Sequence, residues 1–357
     1  MVTIVGAGPS GSYLGYLLAK EGFKVNLLEE HSCVGKPVQC TGVVTDAIDG
    51  ILKLDESVIV NKIKTVCVHF NGDVLDVDLG KGDYILDREK FDKYLCEMGE
   101  SEGVKVLLNH RLNVASIVNK KIQCLTNKGL IEDEILVGAD GPYSRVGNSF
   151  NMLNGRKYKT AMQYRVKGDF EPEVYRVYLG YGEFGWLVPE NKNFARVGIV
   201  GDGNLKNEFN RFLKLFKVKK LENQTGMIPL FNHDIKLSYK NVYLIGDAAG
   251  LVKASSHGGI VYGLNAAKVL SNVIKDGGNY DKEIKKLIGK ELWLSLKIRQ
   301  VMSFFKEEDY EFLIQLFNQE RVLELMKEYS RDFPSKFLFK LLLKEPRFLK
   351  FLKFVAI

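Results

Sequence analysis

The chain has 357 residues, of which 46% are hydrophobic and 27% charged, and its formal net charge is +7 at pH 7. These proportions are typical of a folded globular protein and argue against a disordered chain, and the length predicts two domains. No apolar run is long enough to span a bilayer. The five cysteines are odd in number and lack CxxC spacing, and the histidines are scattered, which argues against a disulfide framework and a metal site. The chain opens directly with a strand and shows no signal peptide, so we expect a cytoplasmic protein.

The N-terminal segment VTIVGAGPSGSYLGYLLAKEGFKVNLLEE predicts a strand, a glycine-rich turn, a helix and a second strand. Gly6, Gly8 and Gly11 form a G-x-G-x-x-G motif, in which the first glycine permits the tight turn, the second admits a pyrophosphate and the third lets the helix approach the sheet. The second strand ends at Glu29, and an acidic residue at that place accepts a hydrogen bond from a ribose 2′-hydroxyl. This context predicts a dinucleotide site.

The middle of the chain predicts a change from helices to strands. Residues 58–80 alternate apolar and polar around Asn71-Gly72, which is typical of a hairpin, and DREKFDKYLCEMGESEG predicts a helix that ends at Gly103. From Thr160 to about Pro229 strands predominate, which predicts a separate antiparallel sheet. After Gly263 the chain is mostly helical in pattern.

A second nucleotide-binding signal lies in VYLIGDAAGLVKASSHGGIVYGL, residues 242–264. A flavin adenine dinucleotide (FAD) is longer than one βαβ unit, so another part of the chain has to hold its ribitol and flavin. Asp247 at the end of a late strand can accept hydrogen bonds from ribitol hydroxyls, or it can be a simple helix cap. Gly258 and Gly259 would let backbone N–H groups reach the flavin edge. His257 beside them is a candidate proton source or flavin-edge contact, or else an exposed loop residue.

Four motifs, GAGPSG, LDREKFDKYL, VGADGPYSRV and VYLIGDAAG, resemble in their order the FAD motifs of the p-hydroxybenzoate hydroxylase-like flavoproteins. The resemblance spans residues 1 to about 270. It implies that FAD contacts Ser10 within the first motif, Arg88, Asp140 with Gly141, and Asp247. Arg88 could instead be a helix-start residue in a surface pair, and Asp140-Gly141 could be only a turn.

Two further stretches resemble the geranylgeranyl reductase family of that superfamily. GKPVQCTGVV is similar to the family's P-x-x-C-x-G motif, and GYGEFGWLVP is similar to its aromatic-x-W-x-aromatic-P stretch. Phe184 replaces the usual Tyr, and Val188 replaces the usual Phe. The resemblance implies reduction of isolated C=C bonds in geranylgeranyl chains, and it implicates Cys40 as a weak proton donor or a packing group.

Reduction of an isolated alkene requires a greasy chain to be held over the flavin in a dry cavity with an apolar, partly aromatic wall. Phe184 and Trp186 alternate on one predicted strand and therefore face the same side. We expect these two side chains, with Tyr181 just upstream, to bind substrate. The alternative is that they are ordinary sheet core.

The basic charge is concentrated at the C-terminus, where the segment from Arg331 onward contains seven Lys or Arg and two acidic residues. The rest of the chain is nearly neutral, so a nucleic-acid surface is not indicated. EPRFLKFLKFVAI places Phe348, Leu349, Phe351, Leu352 and Val355 on one predicted helical stripe. Such basic amphipathic helices are typical of membrane surfaces, although a helix that packs on the protein's own core has the same pattern.

Together these patterns predict an α/β protein with a Rossmann-like FAD-binding domain, an inserted antiparallel substrate domain and a helical C-terminal region. The predicted segments are 1–57, 82–155 and 236–275 for the FAD-binding domain, 58–81 and 156–235 for the substrate domain, and 276–357 for the C-terminal region. The predicted partners are a prenyl lipid, an external electron donor (NAD(P)H, a deazaflavin or a ferredoxin) and the inner membrane surface. The alternatives are a flavin monooxygenase or halogenase and a prenyl carrier without redox activity.

Overall fold

The computed structural model describes residues 1–354 and contains seventeen β-strands in three sheets. The strands are β1 (Val2–Val5), β2 (Val25–Leu28), β3 (Val43–Thr45), β4 (Ile59–Phe70), β5 (Asp73–Leu86), β6 (Lys105–Leu107), β7 (Leu112–Val118), β8 (Lys121–Thr126), β9 (Gly129–Asp133), β10 (Ile135–Gly138), β11 (Tyr158–Lys167), β12 (Val174–Tyr178), β13 (Phe184–Pro189), β14 (Phe194–Gly201), β15 (Lys219–Pro229), β16 (Ser238–Tyr239) and β17 (Val242–Leu244).

Within residues 1–354, ten α-helices accompany the sheets, and the last five follow one another at the C-terminal end. The helices are α1 (Pro9–Lys20), α2 (Arg88–Ser101), α3 (Arg145–Ser149), α4 (Lys206–Leu213), α5 (Ile260–Asp276), α6 (Tyr280–Ile284), α7 (Lys290–Met302), α8 (Glu307–Phe317), α9 (Glu320–Glu328) and α10 (Pro334–Lys344). Short 3₁₀ segments include Gly246–Ala249 and Pro346–Phe354.

A six-stranded sheet has the order β16-β17-β10-β1-β2-β6 and is parallel except at the edge strand β16. All four residues of β1 are buried, as expected for a parallel sheet that is covered on both faces. Helices α1, α2 and α5 pack together around this sheet, and its core is the largest in the molecule. The carboxyl ends of these strands are the place where ligands bind in open α/β sheets.

An eight-stranded sheet has the order β15-β11-β14-β13-β12-β4-β5-β3. Its pairs are antiparallel except β4 with β12. The predicted hairpin is present as β4 and β5, with Asn71-Gly72 at its turn. β5 runs to Leu86, past the predicted boundary at residue 81, and β3 joins this sheet from the segment predicted for the FAD-binding domain. The division into domains stays a prediction.

The C-terminal helices have a core of their own, built from Leu316, Val322, Leu325, Phe337, Leu341, Phe348 and Phe351. The predicted single apolar stripe at the end of the chain is wrong. Phe348 and Phe351 are buried, whereas Leu349 and Leu352 are about half exposed. The segment is a 3₁₀ helix, in which residues three apart share a face, so the two pairs lie on different faces. Val355 lies outside the described residues.

The exposed apolar side chains of this region are large, and Phe339 and Leu343 on α10 are 70% and 65% exposed. Five lysines, at positions 336, 340, 344, 350 and 353, accompany them in the sequence. Among the described residues, no helix combines the length and the apolar character needed to cross a bilayer.

Candidate functional site

A cavity of about 1170 Å³ runs between the two large sheets. Its lining includes the carboxyl ends of β1, β2 and β10, the loop after β17, and side chains of β11, β13 and β15. Single-ligand pockets usually enclose about 300–1,000 Å³, so this cavity has room for more than one small ligand. Among the described residues, no group of three or more His, Cys, Asp or Glu is arranged to hold a metal ion.

The glycine-rich turn between β1 and α1 forms one end of the cavity. Gly6 has a φ of 102°, and a Cβ at Gly11 would lie 2.0 Å from the carbonyl oxygen of Gly6, so neither position admits a side chain. Gly8 is different, because a Cβ there would meet no atom within 4 Å. Ser10, the fourth predicted residue of this turn, also lines the cavity. This turn therefore leaves open space at Gly8, which fits the predicted approach of a pyrophosphate.

Glu29 follows β2 and lines the same end of the cavity. One of its carboxylate oxygens accepts a hydrogen bond from the Ala7 N–H at 3.0 Å, and the other accepts from the His31 N–H at 3.0 Å. The carboxylate is thereby fixed beside the glycine-rich turn. An ionised carboxylate offers about four lone-pair sites, so it retains acceptor capacity for a ribose hydroxyl.

Arg88 begins α2 and lies on the cavity wall, with its guanidinium held by both carboxylate oxygens of Asp92 at 2.9 and 3.0 Å. Burial opposes the charge of Arg88, but Asp92 and Cys40 together outweigh burial and raise the pKa of the guanidinium above its ordinary value. The position of Arg88 is thus compatible with the predicted cofactor contact. The guanidinium, however, is already paired with a carboxylate of the protein, that of Asp92.

Asp140 lies on the cavity wall beside Gly141, before the start of α3, whose N-cap is Ser144. Its carboxylate accepts hydrogen bonds from the Ser144 hydroxyl at 2.5 Å, the Arg145 N–H at 2.7 Å and the Val146 N–H at 3.1 Å. Burial raises the pKa of Asp140, and these hydrogen bonds oppose that rise. The carboxylate therefore builds the cavity wall at this turn.

Asp247 lies in the 3₁₀ turn after β17 and lines the cavity together with Gly258 and Gly259. A Cβ at Gly259 would lie 3.0 Å from Oδ1 of Asp247, so the glycine and the carboxylate are in close contact. Burial raises the pKa of Asp247. Arg156 donates hydrogen bonds to the carbonyl oxygens of Asp247 and Ala248 at 3.3 and 2.6 Å, and so braces this turn from behind.

Phe184 and Trp186 both line the cavity from β13, and their ring centroids are 6.0 Å apart. Tyr181 does not line it. Its ring packs on Phe212 at 4.9 Å, within the core of the eight-stranded sheet. Gly180 and Gly182, with φ values of 86° and 62°, flank Tyr181 in the turn before β13, so strand alternation does not extend to it. Tyr175 of β12 lines the cavity instead.

Cys40 lies on the cavity wall in the loop before β3. Its sulfur accepts a hydrogen bond from the Gly42 N–H at 3.3 Å, and its carbonyl oxygen accepts from Arg196 Nη1 at 2.6 Å. These contacts hold Cys40 in place at the cavity.

His257 lies on the cavity wall but is almost completely buried, and its Nε2 is 2.8 Å from Oε2 of Glu183. Burial lowers the pKa of His257, so the ring is neutral near pH 7. Burial alone would raise the pKa of Glu183, but hydrogen bonds from His257 and Lys159 lower it to about 2. The neutral ring therefore donates its one N–H to an ionised carboxylate, which makes His257 a poor proton source.

Two buried glutamines on the cavity wall, Gln163 and Gln224, were not predicted from the sequence. Gln163 of β11 donates to Gln224 of β15 at 2.6 Å, and its own carbonyl oxygen accepts from the Thr41 hydroxyl at 2.9 Å and from Trp186 Nε1 at 3.3 Å. Gln163 thus ties the cysteine loop to the tryptophan. A glutamine in a strand carries no signal that would have revealed this role.

The chain is similar to known proteins both at its N-terminus and over most of its length. Residues 4–45 match the NAD(P)-binding Rossmann-like domain family. The chain is 27% identical to digeranylgeranylglycerophospholipid reductase of Methanosarcina acetivorans, with 87% of each chain covered. It is 26% identical to digeranylgeranylglycerophospholipid reductase 2 of Methanothermobacter thermautotrophicus, with 94% of this chain and 97% of the relative covered.

Solved structures show the same fold over nearly the whole chain. A geranylgeranyl bacteriochlorophyll reductase-like protein from Thermoplasma acidophilum has a TM-score of 0.79 at 22% identity, with 99% of this chain and 98% of that chain covered. The flavin-dependent halogenase CmlS has a TM-score of 0.71 at 17% identity, with coverages of 96% and 76%. The predicted fold class and the predicted resemblance to geranylgeranyl reductases are therefore confirmed.

Proposed function

We propose that this chain is an FAD-dependent reductase that reduces C=C bonds in geranylgeranyl chains. Its substrates would be isoprenoid (archaeal-type) membrane-lipid precursors or geranylgeranyl diphosphate. The observation that carries this proposal is the single cavity that joins the glycine-rich turn and Asp247 to Phe184 and Trp186. Its volume suits a cofactor together with an extended chain. The reductase names of the relatives support the substrate class.

The cavity residues fit four parts of FAD: the pyrophosphate, the ribose, the ribitol and the flavin ring. The open space at Gly8 suits the pyrophosphate, and the carboxylates of Glu29 and Asp247 suit the ribose and the ribitol hydroxyls. Gly258 and Gly259 have no side chains of their own where the flavin ring would lie. When bound, the flavin supplies the hydride for the alkene, and the protein has to supply the geometry and the proton.

Phe184 and Trp186 would hold the prenyl chain against the flavin and keep water out. Trp186 is oriented by its N–H bond to Gln163, so its apolar face is free for the chain. Val177 and Val188 continue the apolar wall. An isolated alkene has no polar group that could form a hydrogen bond. The shape of a water-free cavity would therefore have to orient it.

Cys40 is the proposed proton donor to the second alkene carbon, with its own proton replaced from water. It lies on the cavity wall and is fixed by Gly42 and Arg196. His257, whose N–H is committed to Glu183, would shape the wall beside Gly258. The reductant would come from an external donor (NAD(P)H, a deazaflavin or a ferredoxin), and the exposed apolar and basic C-terminal region would contact the inner membrane surface.

The experiment is lipid mass spectrometry of cells that make a geranylgeranyl lipid precursor and express this chain. We expect products that gain two hydrogens for each reduced bond. Asp247→Ala should yield a colourless protein and unreduced lipid, while Asp202→Ala, which removes an exposed carboxylate at the surface, should behave as wild type. Stoichiometric flavin in Asp247→Ala would contradict the ribitol role.

A flavin monooxygenase or halogenase is the second candidate, because the halogenase CmlS shares the fold. The stretch FGWLVP here has one tryptophan fewer than the W-x-W-x-I-P of such halogenases. NADPH-dependent oxygen consumption with phenols, in place of lipid reduction, would favour this candidate. Protein that stays colourless in the presence of FAD would favour a prenyl carrier.

A further inference from the structure

Lys253 is a buried lysine on the cavity wall, between Asp247 and Gly258 in the chain. Its loop folds back on itself, because Lys253 N–H donates to Gly258 O at 3.1 Å and His257 N–H donates to Lys253 O at 2.8 Å. A Cβ at Gly258 would lie 3.4 Å from Cε and 3.8 Å from Nζ of Lys253. The end of the Lys253 side chain therefore lies beside Gly258.

The close contacts continue to Asp247, because a Cβ at Gly259 would lie 3.0 Å from Oδ1 of Asp247. Asp247, the two glycines and Lys253 thus form one continuous part of the wall. In the proposed function, Asp247 contacts the ribitol and the glycines contact the flavin ring. Lys253 would then lie near the ring.

The counterion of Lys253 is Asp332, which comes from the C-terminal region and is itself buried on the cavity wall. Asp332 also accepts hydrogen bonds from the Thr45 hydroxyl through its carboxylate and from the Tyr262 hydroxyl through its carbonyl oxygen. Burial opposes the charge of Asp332, but Lys253 and Arg331 outweigh burial and lower its pKa. Asp332 is therefore ionised.

A buried ion pair is weak evidence for a stabilising role, because well-packed apolar residues in its place are often equally stable. Two other cations of the wall are committed elsewhere. Arg88 is held by two bonds to Asp92, and Arg331 is paired with Asp83 at 2.5 Å. Lys253 is the cation beside Gly258 and Gly259. Charged groups with perturbed pKa values in a cavity are typical of functional sites.

We propose that Lys253 tunes the flavin by stabilising the negative charge that the ring acquires on reduction, and that Asp332 limits how much positive charge the ring experiences. This inference rests on the proposed function. Two-electron reduction by an external reductant, with uptake of one proton, leaves the ring with one negative charge. A neighbouring cation favours that anion and raises the reduction potential of the flavin.

The experiment measures the midpoint potential of the bound flavin during dithionite titration of the FAD-loaded full chain. Lys253→Met is expected to make the potential more negative, and Asp332→Asn is expected to make it more positive. A tenfold change in the preference for the reduced form corresponds to about 30 mV for a two-electron couple. We expect shifts of at least this size, in opposite directions.

Lys253→Met alone leaves Asp332 without its lysine, which can prevent folding. The double variant Lys253→Met/Asp332→Asn avoids this, because it differs from Asp332→Asn only at the lysine and contains no unpaired Asp332 carboxylate. It should have a more negative potential than Asp332→Asn. Lys327→Met, which removes an exposed lysine paired with Asp78 at 2.6 Å, is the matched control and should leave the potential unchanged.

Equal potentials in Asp332→Asn and the double variant, or shifts of one sign in Lys253→Met and Asp332→Asn, would overturn the inference. Failure of the proposed function has a different signature, since wild-type protein would then bind no FAD or leave the lipid unreduced. If the wild type binds FAD and reduces lipid, but replacement of Lys253 leaves the flavin potential unchanged, only the role of the lysine is contradicted.

Discussion

Gly8 and Gly11 lie three residues apart in the glycine-rich turn, yet a methyl group is expected to have different consequences at each. A Cβ at Gly11 would collide with the Gly6 carbonyl at 2.0 Å, whereas Gly8, with φ of −71°, offers space and an ordinary backbone conformation. Gly11→Ala should therefore lower the stability of the apoprotein, by about 1–3 kcal/mol for overpacking. Gly8→Ala should keep that stability and weaken FAD binding.

Thermal unfolding of the apoproteins and FAD titration by fluorescence separate the two effects. Gly50→Ala is the control, because a Cβ there also meets no atom within 4 Å and Gly50 lies outside the cavity. Equal FAD affinity for Gly8→Ala and wild type would show that no pyrophosphate approaches this residue.

Glu183 links pH to stability through its contacts with His257 and Lys159. Its pKa is about 2 in the folded chain against an ordinary 4.5. A lowered carboxyl pKa means that the unfolded chain binds more protons, so the stabilisation is complete above about pH 4.5 and is lost as the pH falls towards 2. Glu183→Gln should lower the free energy of unfolding by about 1–3 kcal/mol at pH 7.

Urea unfolding at pH 7 and at pH 3 tests this expectation, and the deficit of Glu183→Gln should shrink at the lower pH. Glu173→Gln is the matched control, since Glu173 pairs with Lys64 at 2.6 Å but is 58% exposed. A deficit that is the same at both pH values would contradict an ionised Glu183 held by these partners.

Trp186 is one of two tryptophans in the chain, and the other, Trp293, is 43% exposed on α7. Trp186→Ala should slow alkene reduction at least about tenfold, equivalent to ~1.4 kcal/mol of transition-state stabilisation, while FAD stays bound. Trp293→Ala should keep the wild-type rate. Single-turnover reduction of a geranylgeranyl lipid by the pre-reduced enzyme measures the step directly, and an unchanged rate in Trp186→Ala would remove it from the substrate wall.

At the scale of elements, local patterns predicted much of the structure because their causes are local. The glycine-rich turn, the β4–β5 hairpin with Asn71-Gly72 and the helix after Asp87 are each fixed by neighbouring residues, and all three are present. Contacts between distant residues left no such signal. Glu183 meets His257 across 74 positions and Lys253 meets Asp332 across 79, so the charged parts of the wall were not predictable.

In the C-terminal region the sequence predicted the basic and apolar composition correctly but the arrangement of the apolar residues wrongly. The basic, apolar sequence is there, but the 3₁₀ geometry of its last segment divides the apolar residues between the core and the surface. A sequence pattern based on 3.6 residues per turn does not distinguish these outcomes. The apolar side chains left exposed in this region are a smaller set, led by Phe339 and Leu343.

We expect this exposed set to bind vesicles that contain anionic lipid, through apolar insertion and the accompanying lysines. Phe339→Ser/Leu343→Ser should lose most of the co-sedimentation with such vesicles. Leu130→Ser/Leu221→Ser is the matched control, since these leucines are 56% and 45% exposed on other elements. Equal binding by both double variants would show that α10 does not contact the membrane.

At the scale of the whole molecule, the cavity is the place where the two large sheets meet. The six-stranded sheet contributes the carboxyl ends of its strands, and the eight-stranded sheet contributes the face that carries Gln163 and Trp186. Arg331 and Asp332 bring the C-terminal region to the same wall. A ligand that fills this cavity therefore contacts three regions at once, and its binding energy adds to the stability of all three.

Hydrogen exchange of the apoprotein with and without FAD tests this arrangement. We expect slower exchange in two segments on the cofactor side, residues 6–11 and 247–259, and also in β13 across the cavity. The β8–β9 hairpin does not line the cavity and should exchange at the same rate in both states, which makes it an internal control. Protection confined to the six-stranded sheet would mean that the bound cofactor does not reach the wall of Phe184 and Trp186. In that case the cavity would join a nucleotide site to a surface that the flavin never contacts.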